Sequence, residues 1–124
     1  MFLEHVNMSV KDIERSIEFY QGALGFEPRW RGRNSDGGPA VHIGNAVNYI
    51  ALIQADGENG QAPREWERAG LNHFGWVVKD LDAAKQRLAD LGVKPHFEAD
   101  YEPGRRLYFF DPDGIEVELV EYPQ

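Results

Sequence analysis

An α+β fold of two tandem βαβββ modules is what this sequence predicts. Three observations carry that reading: a segment that recurs 68 residues later (73 − 5), opening strands whose side chains alternate, and a capped amphipathic helix after each. His5-Val6-Asn7-Met8-Ser9-Val10-Lys11-Asp12 returns as His73-Phe74-Gly75-Trp76-Val77-Val78-Lys79-Asp80. Leu24-Gly25 and Pro28 return as Leu91-Gly92 and Pro95 at an offset of 67, one residue being lost in the helix, and the same 67 carries Ile50-Ala51-Leu52-Ile53 onto Val117-Glu118-Leu119-Val120. Module 1 therefore spans 1–54, a linker 55–70 and module 2 71–122, all within one domain of 1–124.

Each module opens with a strand. In the first, Val6, Met8 and Val10 share one face, and His5, Asn7 and Ser9 the other. Asp12 and Asp80 follow at the position of a helix N-cap, where a carboxylate accepts the unpaired N–H groups of the first turn. Ile13, Ile17, Tyr20 and Leu24, and then Leu81, Ala84, Leu88 and Leu91, repeat every three or four residues and give each helix one apolar stripe. Gly25 and Gly92 suit the left-handed position that ends such helices. Strands are expected near 27–33, 38–43 and 47–54, and again near 94–98, 105–110 and 115–122. Asp111-Pro112-Asp113-Gly114 reads as the turn between the last two, with Pro presetting φ and Gly accepting a positive one. The linker is rich in Gly, Glu and Gln, with a short helical turn expected around Arg64 to Arg68.

Composition narrows the partners. The chain has 124 residues, enough for one compact domain, and 13 Lys and Arg against 21 Asp and Glu leave a formal charge of −8. Nucleic acid and anionic membrane are thus poor partners, and a small molecule is the better expectation. With no cysteine, thiolate metal sites, disulfides and a cysteine nucleophile are all ruled out, so any metal must bind His, carboxylate or water. The N-terminus lacks a signal-peptide pattern and no apolar run approaches the roughly 20 residues of a membrane span. A cytoplasmic location is expected.

The repeat also picks out candidate site residues. His5 and His73 occupy equivalent places on the two opening strands, and the closing strand of module 2 supplies Glu118, on the same face as Glu116. The counterpart of Glu118 in module 1 is Ala51, so three of four equivalent places hold metal-binding side chains. Two His and one carboxylate suit Fe(II), Mn, Zn or Ni and leave coordination positions open for substrate, water or O₂. A single strand histidine is ordinarily a hydrogen-bonded polar residue, and it is the coincidence of three that points to a metal. An unpaired carboxylate among the apolar neighbours of Glu118 would cost several kcal/mol. His42 and His96 have no such company and read as ordinary surface or strand residues. Tyr108, just before the last turn, is a candidate to stabilise negative charge on a bound oxygen, alongside Glu118 as the second catalytic candidate. As a residue among aromatics Tyr108 fits a plain core role equally well. Asn7 and Tyr49 are candidate substrate-binding residues.

These residues resemble the vicinal oxygen chelate superfamily, which contains glyoxalase I, fosfomycin-resistance thiol transferases, methylmalonyl-CoA epimerase, extradiol dioxygenases and metal-free bleomycin-binding proteins. The likeness rests on the His5 strand and the Val10 to Tyr20 helix entry, Leu24-Gly25-Phe26, the His73 strand, and Tyr108-Phe109-Phe110-Asp111-Pro112-Asp113-Gly114 leading to Glu118-Leu119. It implies two βαβββ modules forming a half-open barrel around one divalent metal, often in a homodimer, with His5, His73 and Glu118 at the matching ligand positions. The implied function is that of a metal-dependent dioxygenase, lyase or thiol transferase acting on a small oxygen-bearing substrate. The alternative is a metal-free drug- or metabolite-binding protein of the bleomycin-resistance type. Glyoxalase I carries a carboxylate ligand where Ala51 stands, which disfavours a two-glutamate lyase. Fosfomycin-type enzymes and extradiol dioxygenases share the two-His-one-Glu set, although the former usually have a hydroxyl residue at Asn7.

Overall fold

The computed structural model describes residues 1–57, 67 and 69–124. The chain divides into two compact units, Met1–Gly60 and Gln61–Gln124. The first holds β1 (His5–Val10), α1 (Ile13–Leu24), β2 (Glu27–Arg33), β3 (Pro39–Gly44) and β4 (Tyr49–Gln54), and the second β5 (Phe74–Val77), α2 (Leu81–Asp90), β6 (Phe97–Tyr101), β7 (Gly104–Phe110) and β8 (Glu116–Glu121). Each unit is a βαβββ module, as the repeat predicts.

The two sheets have the same topology, β1-β4-β3-β2 and β5-β8-β7-β6, and neither closes on itself. The opening strand pairs in parallel with the closing one, and the remaining pairs are antiparallel. The register repeats as well, since Asn7 opposite Ala51 becomes Gly75 opposite Glu118.

The helices form where the caps say they should. The Asp12 and Asp80 carboxylates accept from Arg15 N and Ala83 N at 3.2 and 2.9 Å, and replacing such a cap by Ala typically costs about 1 kcal/mol. Gly25 and Gly92 take φ values of 70 and 74°, where a β-carbon would be strained. On α1 the buried stripe is Ile13, Ser16, Ile17, Tyr20 and Ala23, and on α2 it is Leu81, Ala84 and Leu88. Leu91 is 44% exposed, because it caps α2 with ψ near 0° and leaves the helical phase that would have turned it inward. In the first unit Met8, Val10, Ile50 and Leu52 are buried on one sheet face, and in the second Leu107, Phe109, Val117 and Leu119 are. Each such side chain contributes about 1.5–3 kcal/mol by leaving water. The odd-numbered face of β1 and the even-numbered face of β8 are thereby left for polar residues.

Several strand boundaries differ from expectation. β4 starts at Tyr49 rather than near 47, since the Asn45 carboxamide accepts from Val47 N and Asn48 N and holds them in a turn. β6 runs 97–101 instead of 94–98, because Val93 N still bonds Leu88 O and Pro95 has no N–H to give a ladder. β8 ends at Glu121. The Asp111 to Gly114 turn forms as read: Asp111 Oδ1 accepts from Asp113 N and Ile115 N, both at 2.9 Å, and Gly114 has φ 80°. The helical turn expected around Arg64 to Arg68 lies outside the described residues but for Glu67. Among the described residues no helix is long and apolar enough to cross a membrane.

Candidate active site

In the second unit, β5, β7 and β8 bring polar side chains to one sheet face. His73 stands just ahead of β5 and its Nε2 meets Glu118 Oε1 at 2.9 Å. Its Nδ1 lies 2.7 Å from Asn72 Oδ1 and 3.5 Å from Glu116 Oε1. The alternation of β8 puts Glu116 and Glu118 on this face, and Tyr108 is directly opposite Glu118 in the β7–β8 ladder. Arg106 Nη1 donates to Glu118 Oε2 at 3.2 Å. Glu118 thus has a histidine on one oxygen and a guanidinium on the other, with its side chain 12% exposed.

These contacts set the electrostatics. Burial raises the Tyr108 phenol above its ordinary pKa, and the Glu118 carboxylate, which also accepts a hydrogen bond from it, pushes the same way. Burial opposes the charge on Arg106, but Tyr101, Glu118 and Tyr108 outweigh it and its pKa is raised. Tyr108 is therefore a neutral donor and Arg106 a fixed positive charge at neutral pH.

Beside this cluster lies a cavity of about 660 Å³, lined by His73, His96, Phe97, Tyr101, Tyr108, Phe110 and Glu116. Its size falls in the range of small-molecule sites, and its walls are largely aromatic.

In the first unit the equivalent face carries a row of rings. His5 stacks on Tyr49 with centroids 4.9 Å apart, Tyr49 on His42 at 4.4 Å, and His42 contacts Trp30 at 4.7 Å. The Arg29 guanidinium lies over the Tyr49 ring at 4.7 Å. Glu4 Oε1 is 3.0 Å from His5 Nδ1 and accepts from Tyr49 Oη at 3.0 Å. Those two hydrogen bonds, from His5 first and Tyr49 second, lower the Glu4 pKa. Burial, then the bond to Glu4, raises that of Tyr49. Asn7 Nδ2 donates to Ala51 O at 3.2 Å.

The six candidate residues thus fall into two groups. His73, Glu118 and Tyr108 meet in the second unit, and His5, Tyr49 and Asn7 gather on β1 and β4 of the first. Among the described residues no three His, Asp or Glu side chains surround one point as metal ligands would. The pair in the second unit does fit two of the three ligand places of such a site. Donors bound side by side at about 2.1 Å from an ion lie about 3 Å apart, which the 2.9 Å between His73 Nε2 and Glu118 Oε1 satisfies. The Asn72 oxygen at Nδ1 would fix the ring's tautomer so that Nε2 presents its lone pair.

Two residues read as ordinary belong to these clusters. His96 Nε2 is 2.8 Å from Glu116 Oε2, and its ring stacks on Phe110. His42 is half-buried between Trp30 and Tyr49. A signal was available for each. Glu116 is a charged residue in an apolar strand that needed a partner, and His42 stands opposite Ala51 just as Tyr108 stands opposite Glu118.

Over residues 2–119 the sequence matches the profile of the Glyoxalase/Bleomycin resistance protein/Dioxygenase superfamily. The chain belongs to that superfamily. Among curated relatives, the glutathione transferase FosA of Serratia marcescens is 26% identical over 121 residues, covering 94% of this chain and 78% of that protein. Among solved structures, a glyoxylase/bleomycin resistance protein/dioxygenase domain from Frankia sp. EAN1pec is 26% identical with a TM-score of 0.82, covering 100% of this chain and 93% of that one. A mutant FosX from Listeria monocytogenes, complexed with Mn(II) and 1S,2S-dihydroxypropylphosphonic acid, shares the fold at 24% identity and a TM-score of 0.75, covering 96% of this chain and 90% of that one.

Proposed function

We propose that this protein is a divalent-metal-dependent enzyme that acts on a small oxygen-bearing substrate, with His5, His73 and Glu118 as the ligands. The single observation that carries the reading is the 2.9 Å approach of His73 Nε2 to Glu118 Oε1 beside an aromatic-walled cavity. His5 completes the set, from the same chain or from a second copy in a homodimer. The ion, Fe, Mn, Zn or Ni, supplies Lewis-acid polarisation of a substrate oxygen when bound. The residues do the rest. Asn72 orients His73, the Tyr108 hydroxyl donates to the substrate oxygen that gains negative charge, and Arg106 holds a compensating positive charge behind Glu118. Phe97, Phe110 and Tyr101 surround the apolar part of the substrate and thin the water around it. Asn7 and Tyr49 bind substrate from the first module.

Two-His-one-Glu ligation supports dioxygenase or thiol-transfer chemistry over a lyase, because Ala51 offers no second carboxylate. The test is to reload the protein with Fe(II), Mn, Ni and Zn in turn and assay two reactions. Fe(II)-dependent O₂ uptake with a catechol identifies the first, and Mn-dependent loss of free thiol with an epoxide phosphonate the second. Failure of both, with His5→Ala and His73→Ala leaving every measured property unchanged, overturns the reading.

A second reading has one observation in its favour. His73 and Glu118 satisfy each other directly, which a metal-free binding protein of the bleomycin-resistance type would also require. Tight binding of an aromatic compound by protein stripped with chelator, unaffected by added metal, would favour it.

A further inference from the structure

Glu116 and His96 are not used by the reaction chemistry above, yet both line the cavity. Glu116 is 4% exposed, and a carboxylate in such a place costs several kcal/mol unless it is paired. It is held between two imidazoles, with His96 Nε2 at 2.8 Å from one oxygen and His73 Nδ1 at 3.5 Å from the other. His96 stands at the exposed head of β6, where the fold places no demand for a histidine: its backbone N–H bonds Tyr108 O, and any residue would supply that. Its ring is nevertheless pinned twice. Glu116 holds Nε2, and Phe110 lies parallel to it within 10° at 4.1 Å. Among the described residues Nδ1 has no hydrogen-bond partner, and the side chain is 32% exposed toward the cavity.

We propose that His96 and Glu116 form a base pair of their own in this cavity, a carboxylate-oriented imidazole whose Nδ1 takes the proton of an aromatic ligand's hydroxyl. The proposal rests on reading the cavity as the substrate site. The ligand's O–H bond breaks with its electron pair left on oxygen, an N–H bond forms at Nδ1, and the imidazolium is compensated by Glu116 through Nε2–H. A carboxylate behind one ring nitrogen with the other left free is the arrangement that makes histidine a base. The ligand class follows from the walls: Phe97, Tyr101, Tyr108 and Phe110 favour a flat aromatic body, and Tyr108 adds a donor for the phenolate produced. The titratable groups facing His96 are Glu116 from β8 and Tyr108 from β7, with His73 beyond Glu116.

The test uses the full chain stripped of metal, isotope-labelled at its histidine rings, with para-nitrophenol as the probe. Long-range proton–nitrogen NMR should find the His96 proton on Nε2 in the free chain. As the probe is added, its phenolate absorbance should appear together with a doubly protonated His96 ring. Glu116→Gln should cut the bound phenolate fraction by roughly tenfold, one pKa unit on the bound phenol, and His96→Gln should do the same while the reloaded variant keeps wild-type metal content. A proton on Nδ1 in the free chain, a His96 ring that stays neutral at millimolar probe, or loss of metal in His96→Gln overturns the proposal. A chain that binds no metal but ionises the probe through His96 refutes the metal reading and leaves this pair standing. A chain that binds metal while His96 stays inert does the reverse.

Discussion

The two modules share a topology and a register and place a histidine at the same point, yet they surround it differently. His73 is flanked by Glu116 and Glu118 with a side chain 22% exposed, whereas His5 stacks on Tyr49, is 45% exposed and meets the surface carboxylate of Glu4. The cause lies in two substitutions within the repeat. Tyr49 stands where Glu116 does and Ala51 where Glu118 does (offset 67), so the first module has a ring and a methyl group in place of two carboxylates. The opening strands compensate in volume. Asn7 is opposite Ala51, and Gly75 is opposite Glu118, where an added Cβ would already lie 3.4 Å from the Glu118 Cβ. On the same backbone, one module thus surrounds its histidine with carboxylates and the other stacks it on a ring.

The largest expected effect comes from forcing the first module toward the second. Ala51→Glu places a carboxylate on a residue 8% exposed and beside Asn7, and should cost the metal-free chain several kcal/mol in denaturant melts. Pairing it with Asn7→Gly should recover a good part, because Gly75 makes that room in the second module. If the double variant is as unstable as the single one, the volume exchange between strands is not what separates the modules.

Removing the buried carboxylate should be next in size. Glu116→Ala takes the carboxylate from His96 Nε2 and removes one of the two that flank His73, and should lower stability by about 1–3 kcal/mol, while Tyr49→Phe, which loses only a bond to the surface residue Glu4, should leave the melting temperature unchanged. Equal effects would mean that the two faces are not differently built. A mixture of His5→Ala and His73→Ala chains, unfolded and refolded together, should regain metal only if two copies exchange modules. Random pairing would then return roughly one ion per four chains, and none if each site is made within one chain.

The smallest effect is in pH dependence. Burial lowers the pKa of His42, with the positive charges of His5 and Arg29 adding to it. A histidine whose folded pKa lies below its unfolded one stabilises the fold above about 6.5 and loses that contribution as pH falls toward the lowered value. His42→Gln should therefore flatten the decline in melting temperature below pH 6.5 without altering it at pH 8. An unchanged slope would show that the ring stack does not bury His42.

Much of this arrangement was legible in the sequence because the repeat amplifies weak local signals. Asp12 with Asp80 and Gly25 with Gly92 each confirm the other, and the offset alone pairs Ala51 with Glu118. What escaped was what the repeat does not preserve. His96 and Glu116 meet although 20 residues apart, one just ahead of β6 and the other on β8, strands separated by β7, and neither has a like residue in module 1 to flag it. The ring row of Trp30, His42, Tyr49 and His5 crosses all four strands of its sheet, a direction in which periodicity along the chain carries no information. Leu91 shows the opposite failure, a stripe extended one residue past the point where the helix stops.

Metal content per chain tests the central claim most directly. Protein purified without chelator and reloaded with Mn or Fe(II) should hold one divalent ion per site, lost in His73→Ala, Glu118→Ala and His5→Ala but kept in His42→Gln and His96→Gln. No bound ion in the wild-type chain, or an ion that survives the loss of His73 and Glu118, would contradict it.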